Sequence, residues 1–232
     1  MKNIVIIGAS GHGGMVLDCI RKEGKYNVLG FIDSFKKQGT KQYGLEVLGT
    51  ENDLPLLLWQ LNLYGAIVAI GNNCTRKKMA TKIGAIAPIL EMVSAIHPNT
   101  TIGINVKIGK GTFIAAGAIV NANSSLGDFC ILNTNSSLGH DGIMKDFSSI
   151  SSGVCTGGNL VLGKHSAISL GSNVIENITI GENSLIGAGS LVIDNITSNS
   201  LCYGSPARFV RCRKPGDAYL NGDFDFSESF VL

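Results

Sequence analysis

Hydrophobic positions in the C-terminal half of the chain recur every six residues. From Ile96 to Val192, 16 of the 17 positions spaced by six are aliphatic or Met, and only Thr156 departs from the pattern. The residue four places after each of these positions is Ser, Thr, Ala, Val, Cys or Gly in 14 of the 17 hexads. A period of six matches neither an α-helix nor a plain alternating strand. It predicts short strands with a corner in every hexad, stacked as the hexapeptide repeats of a parallel β-helix.

The N-terminal half alternates short apolar runs with helical patterns. Residues 2–7 are predicted to form a buried strand, residues 8–14 a glycine loop, and the following residues a helix to about Arg21. The other predicted elements are strands over 26–32, 44–48, 66–70 and 86–93, a helix over 51–61 capped by Thr50, and a helix over 76–83. This alternation predicts a small α/β domain with a short, Rossmann-like parallel sheet over residues 1–94.

The repeats then define a β-helix domain over residues 95–208. The polar tail, residues 209–232, shows no periodicity from residue 213 onward, so we expect a loosely held terminus. The three Phe residues after residue 213 (Phe224, Phe226 and Phe230) are candidates for docking on a neighbouring subunit.

Candidate ligand-binding residues gather at the predicted carboxyl edge of the N-terminal sheet. Because ligands of parallel sheets bind beyond the strand ends, Gly8–Gly13, Asp33 and Gly71–Asn72 are expected on one rim. The glycines let backbone N–H groups approach a phosphate at the start of a helix. Asp33 follows Gly8 by 25 residues and suits either a ribose-binding residue or a strand-end cap. The loop reads GxxGxGG rather than GxGxxG, so an NAD-dependent enzyme is disfavoured.

Composition and charge exclude several classes of protein. The chain is 44% hydrophobic and 16% charged, with a net charge of +2 and no basic run, so nucleic acid is a poor candidate partner. The first apolar run, residues 4–7, is far too short for a signal peptide or a membrane span. Six cysteines without a CxxC motif indicate reduced thiols, and we expect a cytoplasmic protein.

The four histidines are scattered along the sequence. Such a distribution does not make a metal site, so no metal is expected and a β-helical carbonic anhydrase is disfavoured. His97 and His165 are interpreted as plain surface residues, and His12 as either a helix cap or a substrate contact.

His140 is the candidate general base. It lies two places after the apolar Leu138, so its side chain is expected to point outward. The repeat resembles the left-handed β-helix of hexapeptide acyltransferases, where three hexads make one coil, and this places Gly158 beside His140 and leaves room for a ligand. Asp141 follows directly and can orient the imidazole, and Asn133 is a polar candidate on the same region of the wall. A neutral imidazole suits a general base near pH 7, which is typically worth about 100- to 10,000-fold in rate.

Four further motifs lie in order along nearly the whole chain. They are GASGHG at 8–13, IGNN at 70–73, LNTNSSLGHD at 132–141 and GSPAR at 204–208. With the repeats, they resemble the bacterial sugar O-/N-acyltransferase family, which includes bacillosamine-pathway N-acetyltransferases and sialic acid O-acetyltransferases. The resemblance implies a left-handed β-helix of between five and six coils and a homotrimer. It also implies a nucleotide-sugar held by the N-terminal domain and acetyl-CoA lying along the β-helix between subunits.

The resemblance further implies roles for individual residues. His140 matches the family's base, Asp141 stands where the compared family member has Glu, and Ser149 stands where it has His. The implied substrate contacts are Ser10, Gly11, His12, Asp33, Ser34, Gly71 and Asn133. The implied acetyl-CoA contacts are Ser149, Gly158, Leu170 and Ala188.

These observations predict an acetyl-CoA-dependent N-acetyltransferase acting on the amine of a nucleotide-linked amino sugar. UDP-4-amino-4,6-dideoxy-N-acetylglucosamine is the first expected acceptor, with His140 deprotonating the amine and Asp141 holding the imidazole. O-acetylation of sialic acid or another sugar uses the same base on a hydroxyl and stays open as an alternative. The alternative hypothesis of a non-enzyme is a solenoid scaffold. It predicts no coenzyme A binding and no effect of His140→Ala on turnover.

Overall fold

A computed structural model of the chain describes residues 1–217, and its first part is a mostly parallel sheet with helices on both faces. The elements are β1 (Lys2–Ile7), α1 (Gly11–Glu23), β2 (Tyr26–Ile32), β3 (Lys41–Gln42), β4 (Leu45–Gly49), a 3₁₀ turn (Glu51–Asp53), α2 (Leu54–Gln60), β5 (Gly65–Val68), α3 (Asn73–Ile86) and β6 (Glu91–Met92). The strand order is β3-β4-β2-β1-β5-β6, and only the β3–β4 pair is antiparallel. The predicted Rossmann-like sheet is confirmed.

The central strand β1 is buried on both faces. Ile4 and Ile6 pack in one hydrophobic cluster with α1, whereas Val5 and Ile7 pack in a second cluster with residues of α2 and α3. A parallel strand covered on both sides is expected to be a continuous apolar run rather than an alternating one. This is why residues 4–7 could be recognised as a strand from the sequence.

Two of the predicted helices differ from the observed ones at their ends. The helix predicted over 76–83 begins at Asn73, because the side chain of Asn72 accepts a hydrogen bond from the Thr75 N–H at 3.0 Å and caps it. It continues to Ile86, so the strand predicted over 86–93 is reduced to Glu91–Met92. The helix predicted over 51–61 is a 3₁₀ turn followed by α2.

The hexapeptide repeats form two-residue strands that stack into three parallel sheets, the faces of a triangular prism. The first face contains β7 (Ala95–Ile96), β10 (Phe113–Ile114), β13 (Ile131–Leu132), β16 (Ser149–Ile150), β19 (Ala167–Ile168) and β22 (Leu185–Ile186). The second contains β8 (Thr101–Ile102), β11 (Ile119–Val120), β14 (Ser137–Leu138), β17 (Cys155–Thr156), β20 (Asn173–Val174) and β23 (Leu191–Val192). The third contains β9 (Lys107–Ile108), β12 (Ser125–Leu126), β15 (Ile143–Met144), β18 (Val161–Leu162) and β21 (Thr179–Ile180).

Each strand from β7 to β20 pairs with the strand 18 residues further along, as Ile114 does with Leu132. Three hexads therefore make one coil, and the predicted left-handed β-helix is confirmed. The apolar residues of the repeat form its continuous core.

Small polar residues fill the remaining interior positions of the coils. Ser124 is one example: its Oγ donates to the Gly139 carbonyl at 2.8 Å and accepts the Gly142 N–H at 3.1 Å. A buried hydroxyl that both donates and accepts carries no penalty for an unpaired polar group. The hydroxyls of Thr112, Ser166 and Ser172 likewise donate to carbonyls 15 residues further along and so link neighbouring coils.

A hairpin of β24 (Ser200–Gly204) and β25 (Ala207–Cys212) extends the first face. Residues 209–212, which the sequence assigned to the tail, thus belong to a strand. The chain then returns to α3, where a Cβ placed on Gly216 would lie 3.8 Å from Cys74 Sγ. The docking suggested for the three Phe residues of the tail concerns positions outside the described residues. Within residues 1–217, no helix is long and apolar enough to cross a bilayer.

Candidate active site

His140 lies on the edge shared by the second and third faces, between β14 and β15. Its side chain points outward, as predicted, and is 64% exposed. Its Nδ1 lies 2.7 Å from Asp141 Oδ2. Asp141 has φ = +57°, the left-handed conformation that Asp and Asn tolerate better than most residues. The sharp corner of the coil therefore accommodates the carboxylate beside the imidazole of the preceding residue.

The hydrogen bond from His140 lowers the pKa of Asp141, and a hydrogen bond from the Asn123 side chain lowers it further. Asp141 is consequently ionised at neutral pH and accepts a hydrogen bond from the Nδ1–H of His140. A neutral imidazole that donates through Nδ1 presents an unprotonated Nε2. This is the tautomer that a general base requires.

The free nitrogen of His140 lies against a glycine in the next coil. A Cβ placed on Gly158 would come within 2.4 Å of both Nε2 and Cε1 of the imidazole. The Asn159 N–H donates to the His140 carbonyl at 2.8 Å, which fixes the register of the two coils. We call Gly157–Gly158 the glycine gap. The predicted proximity of Gly158 to His140 is present in the structure.

A cavity of about 210 Å³ opens at the carboxyl edge of the N-terminal sheet. Four of the predicted substrate contacts, Ser10, Asp33, Ser34 and Gly71, line it together. Gly11 is exposed at the start of α1 and does not belong to its lining. The structure thus brings the glycine loop, the end of β2 and the residues after β5 to one rim, as the sequence predicts.

Asp33 holds the parts of this rim together. Its Oδ2 accepts the Ala9 N–H at 2.8 Å, and its Oδ1 accepts the N–H groups of Phe35 and Lys36 at 2.9 and 3.0 Å. The carboxylate therefore caps the strand end and also fixes the glycine loop against the turn after β2. The hydroxyl of Ser34, the next residue, donates a hydrogen bond to Glu51 Oε2 at 2.6 Å.

His12 does not line the cavity. Its ring packs edge-on against Phe113 of the β-helix, with 5.3 Å between ring centroids. Its Nε2 is buried without a hydrogen-bond partner among residues 1–217. Burial lowers the pKa of His12 to about 4, with a contribution from the positive charge of Arg76. The helix-cap interpretation is wrong, because Ser10 occupies the N-cap position, and the buried Nε2 is not available for the predicted substrate contact in this conformation.

The predicted acetyl-CoA contacts fall in three places. Gly158 lies beside His140, whereas Leu170 and Ala188 are exposed and stack on the edge between the first and second faces. Ser149 is only 5% exposed, and its hydroxyl donates to Asn73 at the junction between the domains. The acetyl-CoA contact predicted for Ser149 is therefore corrected to a structural contact.

Asn133 does not share the wall region of His140. It follows β13 on the edge between the first and second faces, one third of a coil before the edge that carries His140. Within one chain, the prediction that both residues occupy the same region is wrong.

Two other histidines are not the plain surface residues that the sequence suggested. His97 is 6% exposed, and its Nδ1 accepts the Asn99 N–H at 3.1 Å inside a turn. His165 is half-buried and stacks on Phe147, with 5.5 Å between ring centroids. Among the described residues, no group of three or more His, Cys, Asp or Glu side chains could hold a metal ion.

Arg76 is a residue whose role the sequence did not reveal. It is completely buried, and its guanidinium donates to the carbonyls of Ile70 and Gly71 at 2.9 and 2.8 Å and to that of Phe129 at 2.9 Å. The first two carbonyls belong to the cavity rim and the third to the β-helix. Arg76 therefore fixes the rim to the repeat domain, through contacts that cannot be predicted from the local sequence pattern.

The cavity and the imidazole lie on different sides of one chain. The N-terminal domain packs against the first face, where Phe113 and Ile131 share a hydrophobic cluster with α1. The edge that carries His140 joins the other two faces and is therefore opposite to this contact. Within one chain, His140 therefore lies away from the face that the N-terminal domain contacts.

Comparison with known proteins relates both parts of the chain to sugar acetyltransferases. The PglD N-terminal domain family matches residues 3–83. A mutant of perosamine N-acetyltransferase from Caulobacter crescentus, in complex with CoA and GDP-perosamine, superimposes with a TM-score of 0.85 and 29% identity over 91% of this chain and 98% of that chain. The acetyltransferase domain of PglB from Neisseria gonorrhoeae, in complex with acetyl coenzyme A, gives a TM-score of 0.81 and 31% identity over 90% of this chain and 99% of that chain.

A curated relative is the UDP-N-acetylbacillosamine N-acetyltransferase of Bacillus subtilis. It is 31% identical over 118 residues, which make up 50% of this chain and 52% of the relative. The match thus spans about half the length of that relative.

Proposed function

Because the chain belongs to the bacterial sugar acyltransferase family, we propose that it transfers the acetyl group of acetyl-CoA to the amine of a nucleotide-linked amino sugar. The observation that carries this proposal is the arrangement at His140. Its Nδ1 is bonded to Asp141, and its Nε2 faces the glycine gap, where only a glycine fits. An exposed imidazole whose tautomer is fixed by a carboxylate, and whose position against the next coil is permitted by a glycine, suits proton abstraction from a bound nucleophile.

In this mechanism the acceptor amine attacks the thioester carbonyl of acetyl-CoA. Nε2 of His140 takes one proton from the amine as the C–N bond forms, and Asp141 stabilises the resulting imidazolium. The tetrahedral intermediate then collapses, the C–S bond breaks, and the imidazolium returns the proton to the thiolate of coenzyme A. The products are the amide and free coenzyme A, and His140 is restored.

The N-terminal cavity is the proposed site of the nucleotide part of the acceptor. The glycine loop at the start of α1 offers backbone N–H groups and the positive end of a 13-residue helix to a diphosphate. Ser10, Ser34 and Gly71 line the same cavity. The names of two relatives carry different nucleotides, UDP and GDP. We propose UDP-4-amino-4,6-dideoxy-N-acetylglucosamine as the first acceptor to test.

The functional unit is proposed to be a homotrimer with the active site between neighbouring β-helices. The cavity and His140 lie on different sides of one chain, so a neighbouring copy is needed to bring them together. Leu170 and Ala188 lie on one edge of the prism and Gly158 on another. An acetyl-CoA molecule touching all three would run between two prisms. Closed cyclic symmetry is the common way for identical chains to repeat such an interface.

The test is to incubate the protein with acetyl-CoA and a panel of UDP-, GDP- and dTDP-linked amino sugars. Release of the coenzyme A thiol is the measure of acetylation. We expect at least one acceptor to be acetylated, and His140→Ala to lower kcat by about 100-fold or more because the general base is lost. The variant should keep the melting temperature of the wild type, since the ring is largely exposed. Acetylation of free sugar alcohols alone would establish O-transfer instead. A protein that binds no coenzyme A and is unaffected by the substitution would be a scaffold.

A further inference from the structure

Phe35 is a fully exposed aromatic residue at the mouth of the N-terminal cavity. It is 99% exposed and nevertheless belongs to the cavity lining. Its backbone N–H donates to Asp33 Oδ1 at 2.9 Å, and the Lys36 N–H donates to the same oxygen at 3.0 Å. The ring is therefore presented on a turn of fixed geometry, and within the described structure it covers no core.

The surroundings of Phe35 place it next to the proposed diphosphate site. The other oxygen of Asp33 accepts the N–H of Ala9 in the glycine loop, so the loop and the Phe35 turn are held by one carboxylate. The deeper lining of the cavity is mainly apolar and includes Ile7, Ile32, Ala69 and Met79. With a volume of about 210 Å³, the cavity holds only part of a nucleotide-sugar. A ligand with its diphosphate at the glycine loop has its nucleoside within reach of Phe35.

We propose that Phe35 is the platform on which the nucleobase of the acceptor stacks. This inference rests on the proposed function, because it assumes that the acceptor carries a nucleotide. A phenyl ring offers a face to any base and no hydrogen bond to distinguish one base from another. Phe35 therefore supplies affinity for the nucleotide while leaving the choice of base to polar neighbours.

The first test measures the binding of UDP and GDP by calorimetry, without the chemical step. Removal of one stacking contact in Phe35→Ala is expected to weaken binding of the nucleotide that the wild type prefers by about ten- to a hundred-fold. Phe35→Trp should retain the wild-type affinity, because the stacking face is preserved. The matched control is Trp59→Ala on α2, an aromatic residue that is 75% exposed but lies outside the cavity lining, and it should change neither affinity.

Steady-state kinetics and fluorescence separate stacking from a general structural effect. In Phe35→Ala, the KM for the nucleotide-sugar should rise, while kcat and the KM for acetyl-CoA stay at wild-type values. Trp59 is the only Trp of the chain. Phe35→Trp in a Trp59→Phe background therefore gives a single reporter, whose emission should be quenched when the nucleotide binds.

The outcomes separate this proposal from the proposed function. If the wild-type protein acetylates nucleotide-linked sugars and Phe35→Ala binds the nucleotide with unchanged affinity, the stacking role is wrong and the proposed function stands. If the wild-type protein acetylates only free sugars, both the stacking role and the proposed function are wrong.

Discussion

The imidazole of His12 is packed against Phe113 at the junction between the domains, where burial lowers its pKa to about 4. In the unfolded chain, a histidine has a pKa near 6.5. The folded state therefore binds this proton less readily than the unfolded state, and stability is lost as the pH falls from about 6.5 to about 4. The difference between the two pKa values corresponds to at most about 3 kcal/mol.

The check is the free energy of unfolding of the wild type and His12→Asn at pH 7.5 and pH 4.5. Asn cannot be protonated at this site, so the variant should lose less stability between the two pH values than the wild type does. The half-buried His165 and the carboxylates titrate in both proteins, so the comparison isolates His12. Equal losses in the two proteins would show that the His12 ring is accessible to protons in the folded state.

His140 and His12 show what the sequence can and cannot specify for a residue. His140 lies in a strict six-residue repeat, so its outward direction follows from its place in the hexad, and the three-hexad coil that the family resemblance implies gives Gly158 as its neighbour. His12 sits in a glycine loop without a period, and the ring that buries it, Phe113, lies about a hundred residues further along. The exposure of Phe35 at a binding cavity likewise depends on the turn that Asp33 holds.

At the scale of a coil, the glycine gap is the feature that makes room for the imidazole of the base. In Gly158→Ala, the new methyl group would lie 2.4 Å from Nε2 and Cε1 of His140, so the imidazole must rotate away. Because the ring is 64% exposed, it can do so without disturbing the core. We expect about a 100-fold loss of kcat, similar to removal of the general base, with little change in melting temperature.

Gly84 provides the matched control for this substitution. A Cβ placed on Gly84 in α3 meets no atom within 4 Å, so Gly84→Ala should keep full activity and gain about 0.5–1 kcal/mol from its better helix propensity. Wild-type activity in Gly158→Ala would mean that the position of the imidazole beside the gap is unimportant for turnover.

Elements with a strict period were the easiest to predict. The six-residue spacing predicts the strands and the buried small residues, and the resemblance to hexapeptide acyltransferases adds the three-hexad coil in which each position contacts its counterpart one coil away. The ends of α3 were harder to place, because the cap at Asn72 is a side-chain interaction that the apolar pattern does not contain.

For the whole molecule, the packing of the two domains could not be predicted from the sequence. It depends on Arg76, whose buried guanidinium joins the rim carbonyls to Phe129, and on the hydrogen bond between Asn73 and Ser149. These partners are 53 and 76 residues apart in sequence. The family resemblance implies an acetyl-CoA contact for Ser149, and only the packing of the two domains shows that its hydroxyl bonds to Asn73 instead.

The position of His140 on a different side of the chain from the cavity gives a direct test of whether the active site is shared between subunits. Two inactive variants are combined: His140→Ala, which lacks the base, and Ser10→Trp, which fills the cavity while replacing a side chain that makes no cap hydrogen bond. The two variants are co-expressed in equal amounts so that they form mixed trimers. If His140 of one subunit serves the cavity of another, about a quarter of the sites should be active. Half of the subunits carry an intact His140 and half carry an intact cavity, and a site needs one of each. If one chain supplied both parts, no subunit in the mixture would be complete and activity would stay at background. Trimers purified separately and then mixed are the control, since they recover activity only as fast as subunits exchange.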